Sequence, residues 1–223
     1  MNVRIAGIPI LFCLLLLGGL CNIYAQNFDI SSGGAPTITG ALSGSVTGSS
    51  SVLNDLLVTI NFGEVSPKNT NNIVKVVVPI AIRSSKAYQV VVSAAGATNA
   101  NPQAIQRSDV GFGVNNFRSL GALAGACTHS PYIFYAPFNN DPASNVTINA
   151  AGRATYPSTL NNIGASTVIL SGPRLSLGAA TPRLINNGYA FDAILTLTPQ
   201  FFAAGVTSTT LTFTIQAGPN ANC

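Results

Sequence analysis

The sequence predicts an all-β protein built as an antiparallel β-sandwich. Three observations carry that prediction. Apolar runs rich in valine, isoleucine and threonine recur at short intervals, bounded by Gly, Pro, Asn or Ser. Several of these runs alternate apolar and polar residues with period two, as a sheet with one buried and one wet face requires. Beyond the N-terminal leader no stretch carries a 3.6-residue apolar period, and strands that follow one another without helices between them pack as a sandwich.

Residues 1–25 read as a secretory signal peptide. Arg4 supplies the positive start, residues 8–20 the apolar region, and Ile23-Tyr24-Ala25 the cleavage site before Gln26. The apolar stretch falls short of the roughly 20 residues that a bilayer span needs. No later window is apolar enough, so no membrane span is expected after cleavage. Lipid attachment at Cys21 is an alternative fate, disfavoured by the bulky Leu20 before it.

Residues 26–51 form a Gly/Ser/Thr-rich N-terminal segment, expected to be flexible. Within it residues 37–46 alternate loosely, with Ile38, Leu42 and Val46 as the apolar members. Two readings are open: a first strand of the chain's own domain, or a tail that becomes a strand only against a partner. The sandwich domain then occupies residues 52–223. VLNDLLVTINF (52–62), residues 73–83 and residues 88–94 read as strands. Pro79 cannot donate a ladder hydrogen bond, which places the second of these at a sheet edge or a bulge.

Residues 97–165 are rich in Asn, Ala, Gly and Pro with short apolar pieces, and read as loops and short strands in a long loop-rich insertion. The strand pattern returns in STVILSG, in residues 189–198 and in residues 210–215. In 189–198, Phe191, Ala193, Leu195 and Leu197 share one face, opposite Asp192, Thr196 and Thr198. The last run alternates threonine with an apolar residue at every step.

Only 7% of the chain is charged, with no run of Lys or Arg. Loss of residues 1–25 leaves 9 basic against 6 acidic residues, a net +3. That is no nucleic-acid footprint, and it leaves little electrostatic protection against association. After cleavage two cysteines remain, Cys127 and Cys223. In an exported chain such a pair points to a disulfide. It would close a loop of about 97 residues, worth on the order of 4–5 kcal/mol by chain entropy. Two free thiols, or pairing between chains, are the alternatives.

No catalytic constellation or cofactor site is expected. His129 is the only histidine, and its Cys127-x-His129 spacing does not align a nucleophile with a base. The six acids are scattered, without metal-ligand spacing. Gly111-Phe112-Gly113 lacks the third glycine and the helix of a nucleotide loop. One candidate ligand patch stands out: Tyr132, Tyr135, Phe138, Asn139 and Asn140, in a loop whose aromatics and amides suit a glycan or a protein partner. The competing reading puts Phe134 and Phe138 over the end of the core, with the tyrosines on its rim.

Phe62-Gly63-Glu64-Val65-Ser66-Pro67, the Val-rich strand after it and the Tyr88-x-Val-x-Val-x-Ala-x-Gly96 strand resemble the spore-coat-U-like and archaic chaperone–usher pilin domains. Residues 199–205 with the Thr-alternating strand that follows look like the turn and closing strand of those folds. The resemblance implies an immunoglobulin-like sandwich lacking one strand. A periplasmic chaperone, then the N-terminal tail of an identical or related subunit, would supply that strand by addition at a sheet edge. Ile38, Leu42 and Val46 would be the plugs of such a donor. The leading expectation is therefore an exported cell-surface structural or adhesive module, pilin-like and not an enzyme. The alternative is a free-standing secreted sandwich that binds carbohydrate or protein without polymerising.

Overall fold

Val74, Val76, Val78, Ile80 and Ile82 fall on one side of a single extended run and are all buried. Such a stripe can be satisfied only against a second apolar surface, and the fold supplies one. The computed structural model describes residues 27–40, 43–52, 54–63, 73–96, 101, 103–121, 132–150, 153–175, 188–198, 202 and 207–219. The leader, Cys21, Leu42, Cys127, His129 and Cys223 lie outside these residues.

Thirteen strands are described: β1 (Phe28–Ser32), β2 (Thr37–Thr39), β3 (Ser45–Val52), β4 (Asp55–Asn61), β5 (Val74–Ser84), β6 (Tyr88–Gly96), β7 (Val110–Leu120), β8 (Ile133–Phe134), β9 (Thr147–Ile148), β10 (Ala154–Thr155), β11 (Thr167–Gly172), β12 (Gly188–Leu197) and β13 (Ser208–Ala217). Sheet 1 runs β1-β5-β12-β7, with β2 also on β5; sheet 2 runs β3-β4-β13-β6-β11-β8; β9 and β10 pair separately. Every pairing is antiparallel. The inner faces of the two sheets share one apolar core. Among the described residues there is no α-helix. β13 follows the sequence pattern closely: Leu211, Phe213 and Ile215 are buried and the threonines between them are half-buried.

The N-terminal segment is not a separate tail in this chain. Residues 28–52 contribute β1, β2 and β3, all paired in cis. Ile38 sits opposite Val76 and Val46 opposite Ile60. The buried Asp29 carboxylate lies 3.2 Å from the Arg83 guanidinium, directly across the β1–β5 ladder. An unpaired buried charge is costly, so this pair pins the register of β1.

Pro79 lies neither at an edge nor at a bulge. β5 is interior, between β12 and the β1–β2 edge. β1 covers positions 80–84 and β2 covers 75–77, so the partner strand is broken opposite Pro79. The Pro79 carbonyl accepts from Gly33 N–H at 2.8 Å. In an antiparallel strand the N–H of that residue would point the same way. The missing donor therefore faces the break, where no ladder bond is asked of it.

Two further expectations need correcting. The region 97–165 holds more than loops and short strands, because β7 is an eleven-residue strand of sheet 1. And β12 has no wet face: Asp192, Ile194 and Thr196 are buried as well as Phe191 and Leu195. One feature explains both. Residues 135–150 and 153–163 form a strap over the β7 edge and onto the outer face of sheet 1. Phe112 and Val114 N–H donate to Ser158 and Phe138 carbonyls at 3.0 and 2.7 Å. Ser158 Oγ donates back to the Phe112 carbonyl. Outside the sheet, Tyr156 Oη accepts from Thr198 N–H at 2.8 Å, and Lys75 Nζ meets Asp141 Oδ2 at 2.6 Å. Arg107 pins the end of the strap, donating to Leu160 and Ile163 carbonyls at 2.8 and 2.9 Å. A Cβ at Gly111 would lie 2.7 Å from the Tyr156 ring, and one at Gly113 would overlap the Asn140 carbonyl oxygen. The two glycines clear the path of the strap, which is what glycine inside a strand often does.

Burial pushes the Asp141 carboxyl up, but hydrogen bonds from Lys75, Ala143 N–H and Ser144, with the Lys75 charge, hold it below its ordinary 3.8. A depressed folded value means stability present above that ordinary value and lost as pH falls through the folded one. Exchange protection of the strap-bonded Phe112 and Val114 amides should therefore drop at acid pH. Asp141→Asn should weaken it at neutral pH and flatten that acid dependence. Hydrogen exchange followed by NMR reads both.

Candidate functional site

At one end of the sandwich, aromatic side chains from four strands converge. The construction begins with a bulge. β7 and β12 lose register between Ala190 and Asp192, and Asn116 takes up a left-handed conformation with φ 56°. Asn tolerates that region better than most residues. Its side chain donates to Asp192 Oδ2 at 2.6 Å, and Arg118 Nη1 donates to Asp192 Oδ1 at 2.9 Å. The extra residue reverses the inside–outside alternation of β7. Phe117, which an unbroken strand would turn to solvent, packs on the core.

Phe117 lies between Tyr132 and Tyr189, with ring centroids at 3.8 and 4.3 Å. Phe134 meets Phe117 and Tyr132 edge-on, each at 5.7 Å. It also meets Phe191 at 6.3 Å, which ties the group to the core. Tyr132 is 41% exposed and Ile133 51% exposed, so the stack ends in an open apolar surface. Underneath lies Tyr88, fully buried on β6. Its ring crosses Gly172, where a Cβ would be 2.7 Å from the Tyr88 hydroxyl oxygen. Gly172 pairs with Tyr88 on one side, and the β11–β8 register continues toward Tyr132 on the other. Among the described residues the Tyr88 hydroxyl has no hydrogen-bond partner. Burial raises its pKa well above the ordinary value, and the nearby Tyr189 and Tyr132 raise it further. It is a neutral phenol, held beneath the exposed ring.

The five patch residues separate in space. Tyr132 belongs to the stack. Tyr135 bonds Ser171 Oγ at 3.0 Å. Phe138 is core, edge-on to Phe112 at 5.7 Å. Asn139 is exposed. Asn140 is tied into the strap through Ser158 Oγ at 3.1 Å. Sequence reasoning missed Phe117, Tyr189 and Tyr88, which reach the site through strand register and not through local spacing. Among the described residues no three His, Cys, Asp or Glu side chains gather as metal ligands. No helix there is long and apolar enough to cross a membrane. Comparison with family models, with curated proteins and with solved structures finds no match.

Replacing Asn116 by valine puts a β-branched residue at a positive φ, a strain of about 1–3 kcal/mol, and removes a bond to Asp192. Denaturation should show a loss of about 2 kcal/mol. The near-UV circular dichroism of the ring stack should fall with it, while the far-UV signal stays.

Proposed function

We propose that this chain is an exported, self-contained β-sandwich that serves at the cell surface as a binding module, taking carbohydrate or protein at its aromatic end. The observation that carries this reading is the cis pairing of β1, β2 and β3. A sandwich awaiting a donor strand would leave that segment free. The sheet edges support the same reading. The β1–β2 edge is broken, β3 is bulged, β7 is strapped and β8 is two residues long. These are the devices by which sheets avoid adding strands. The exposed Tyr132 ring, backed by rigid neighbours, is the kind of anchor that binding surfaces use. The reading assigns no catalytic role.

Pilin-like assembly with identical subunits and a chaperone is the second reading. It draws on the low charge and on the uncharged β3 edge. Residues 26–223, purified and studied by light scattering over a range of concentrations, distinguish the two. The self-contained reading expects a monomer that ignores a peptide of residues 37–46. Capture of that peptide, or growth into fibres, would sink it. Glycan-array screening should then find a ligand whose binding Tyr132→Ala removes, with a small fall in Tm from the lost stacking on Phe117 and an unchanged far-UV circular dichroism spectrum.

Export also implies that Cys127 and Cys223 are joined. Thiol titration of the denatured protein should find no free thiol, and reduction should cost about 4 kcal/mol of stability.

A further inference from the structure

A cavity of about 150 Å³ opens where β3 and the β1–β2 edge approach each other, at the other side of the sandwich from β7 and β8. Val46, Leu56, Val58 and Val78 form its apolar wall, and Ser32 and Pro36 lie at its rim. Its origin is legible. β1 ends at Ser32 and β2 begins at Thr37, so no strand residue covers β5 at Val78. The inward positions along that edge read Ile30, Ser32 and then Ile38. Across from them β3 presents Gly48 beside Val46. Both places where a large side chain would fill the space hold a residue without one.

Gly48 is not demanded by the backbone. A Cβ there meets only the Leu57 carbonyl oxygen, at an ordinary 3.9 Å. Gly63 differs: its φ is +70° and a Cβ would run into Ser43 and Gly44. Among the described residues the space at Gly48 is thus left open by the choice of side chain. An enclosed apolar cavity of that volume holds one six-membered ring; here the space is open on the side of the exposed Ser32 and Gly48. Ser32 is exposed at the mouth; its hydroxyl donates to the Gly34 carbonyl at 2.7 Å and accepts from Gly34 N–H at a long 3.5 Å, which leaves one lone pair for a ligand.

We propose that this cavity binds a small apolar molecule of ring size with one polar substituent directed at Ser32, a ligand of the phenol class. The site is independent of the aromatic end and does not rest on its role. Methyl-labelled protein, residues 26–223, titrated with phenol and with benzene tests it by NMR. Saturable shifts should be confined to the methyls of Val46, Leu56, Val58 and Val78. Phenol should bind about five-fold more tightly than benzene, the worth of one hydrogen bond. Gly48→Leu should abolish binding and raise Tm by about 3 °C, as a filled cavity does. Ser32→Leu, a plug from the opposite wall, should also abolish it. Absent or scattered shifts overturn the proposal, as does a well-folded plugged variant that still binds. So do NOEs from Leu42 to Val46 and Val78 in the free protein, or shifts of these methyls with protein concentration alone. The first would mean that the chain fills the space itself, the second that another copy does.

Discussion

Sheet 1 has to be covered on both faces, and the rest of the structure follows from how that is done. β12 carries Phe191 and Leu195 toward the core and Ile194 and Thr196 away from it, all buried. A strand of that kind cannot face water. The strap answers the need, and its demands reach back into the sequence. It requires glycine at 111 and 113, a lysine at 75 to meet Asp141, and Arg107 to hold the carbonyls at its far end. The β7 edge, which would otherwise offer free N–H groups to a neighbour, loses two of them to Phe138 and Ser158. One excursion of chain therefore buries a face and protects an edge.

The same excursion ends at the aromatic cluster. β8 docks on β11, and Tyr132 just before it reaches Phe117 and Tyr189 on the opposing sheet. Phe117 is available only because the Asn116 bulge turns it inward. Strap, bulge and ring stack form one chain of dependence, from the cover of sheet 1 to the open Tyr132 surface. The second apolar opening, beside Gly48, lies outside this chain. It arises from a broken edge strand and a missing side chain.

The fold class was legible because β5, β6, β12 and β13 carry dense β-branched or period-two patterns that local reading detects. β7 was obscured because its outward positions are Gly111 and Gly113 and because Asn115 leads into a bulge at Asn116. Those residues suit the strap and the turn in phase, and they erase the alternation that marks a strand. β3, in SVTGSSSV, was ambiguous for the same reason: half of its residues are serine, and only Val46 and Val52 are apolar. The wet face assigned to Asp192 and Thr196 was a sound inference from polarity. It failed because the covering layer comes from residues some forty positions away, which periodicity cannot see. At the candidate site, Tyr132 stood out in the sequence through its unusual aromatic neighbourhood. Phe117, Tyr189 and Tyr88 required knowledge of which strands lie side by side.

β13 lies between β4 and β6, near the middle of sheet 2, although it is the last strand described. Its partners on β4 are about 150 residues earlier in the chain. A polypeptide that emerges N-terminus first holds β4 and β6 with one flank bare until residues 208–217 arrive. Contacts of such long sequence separation form slowly. Folding thus waits on the far end of the chain: sheet 2 closes only when its final rung drops into place.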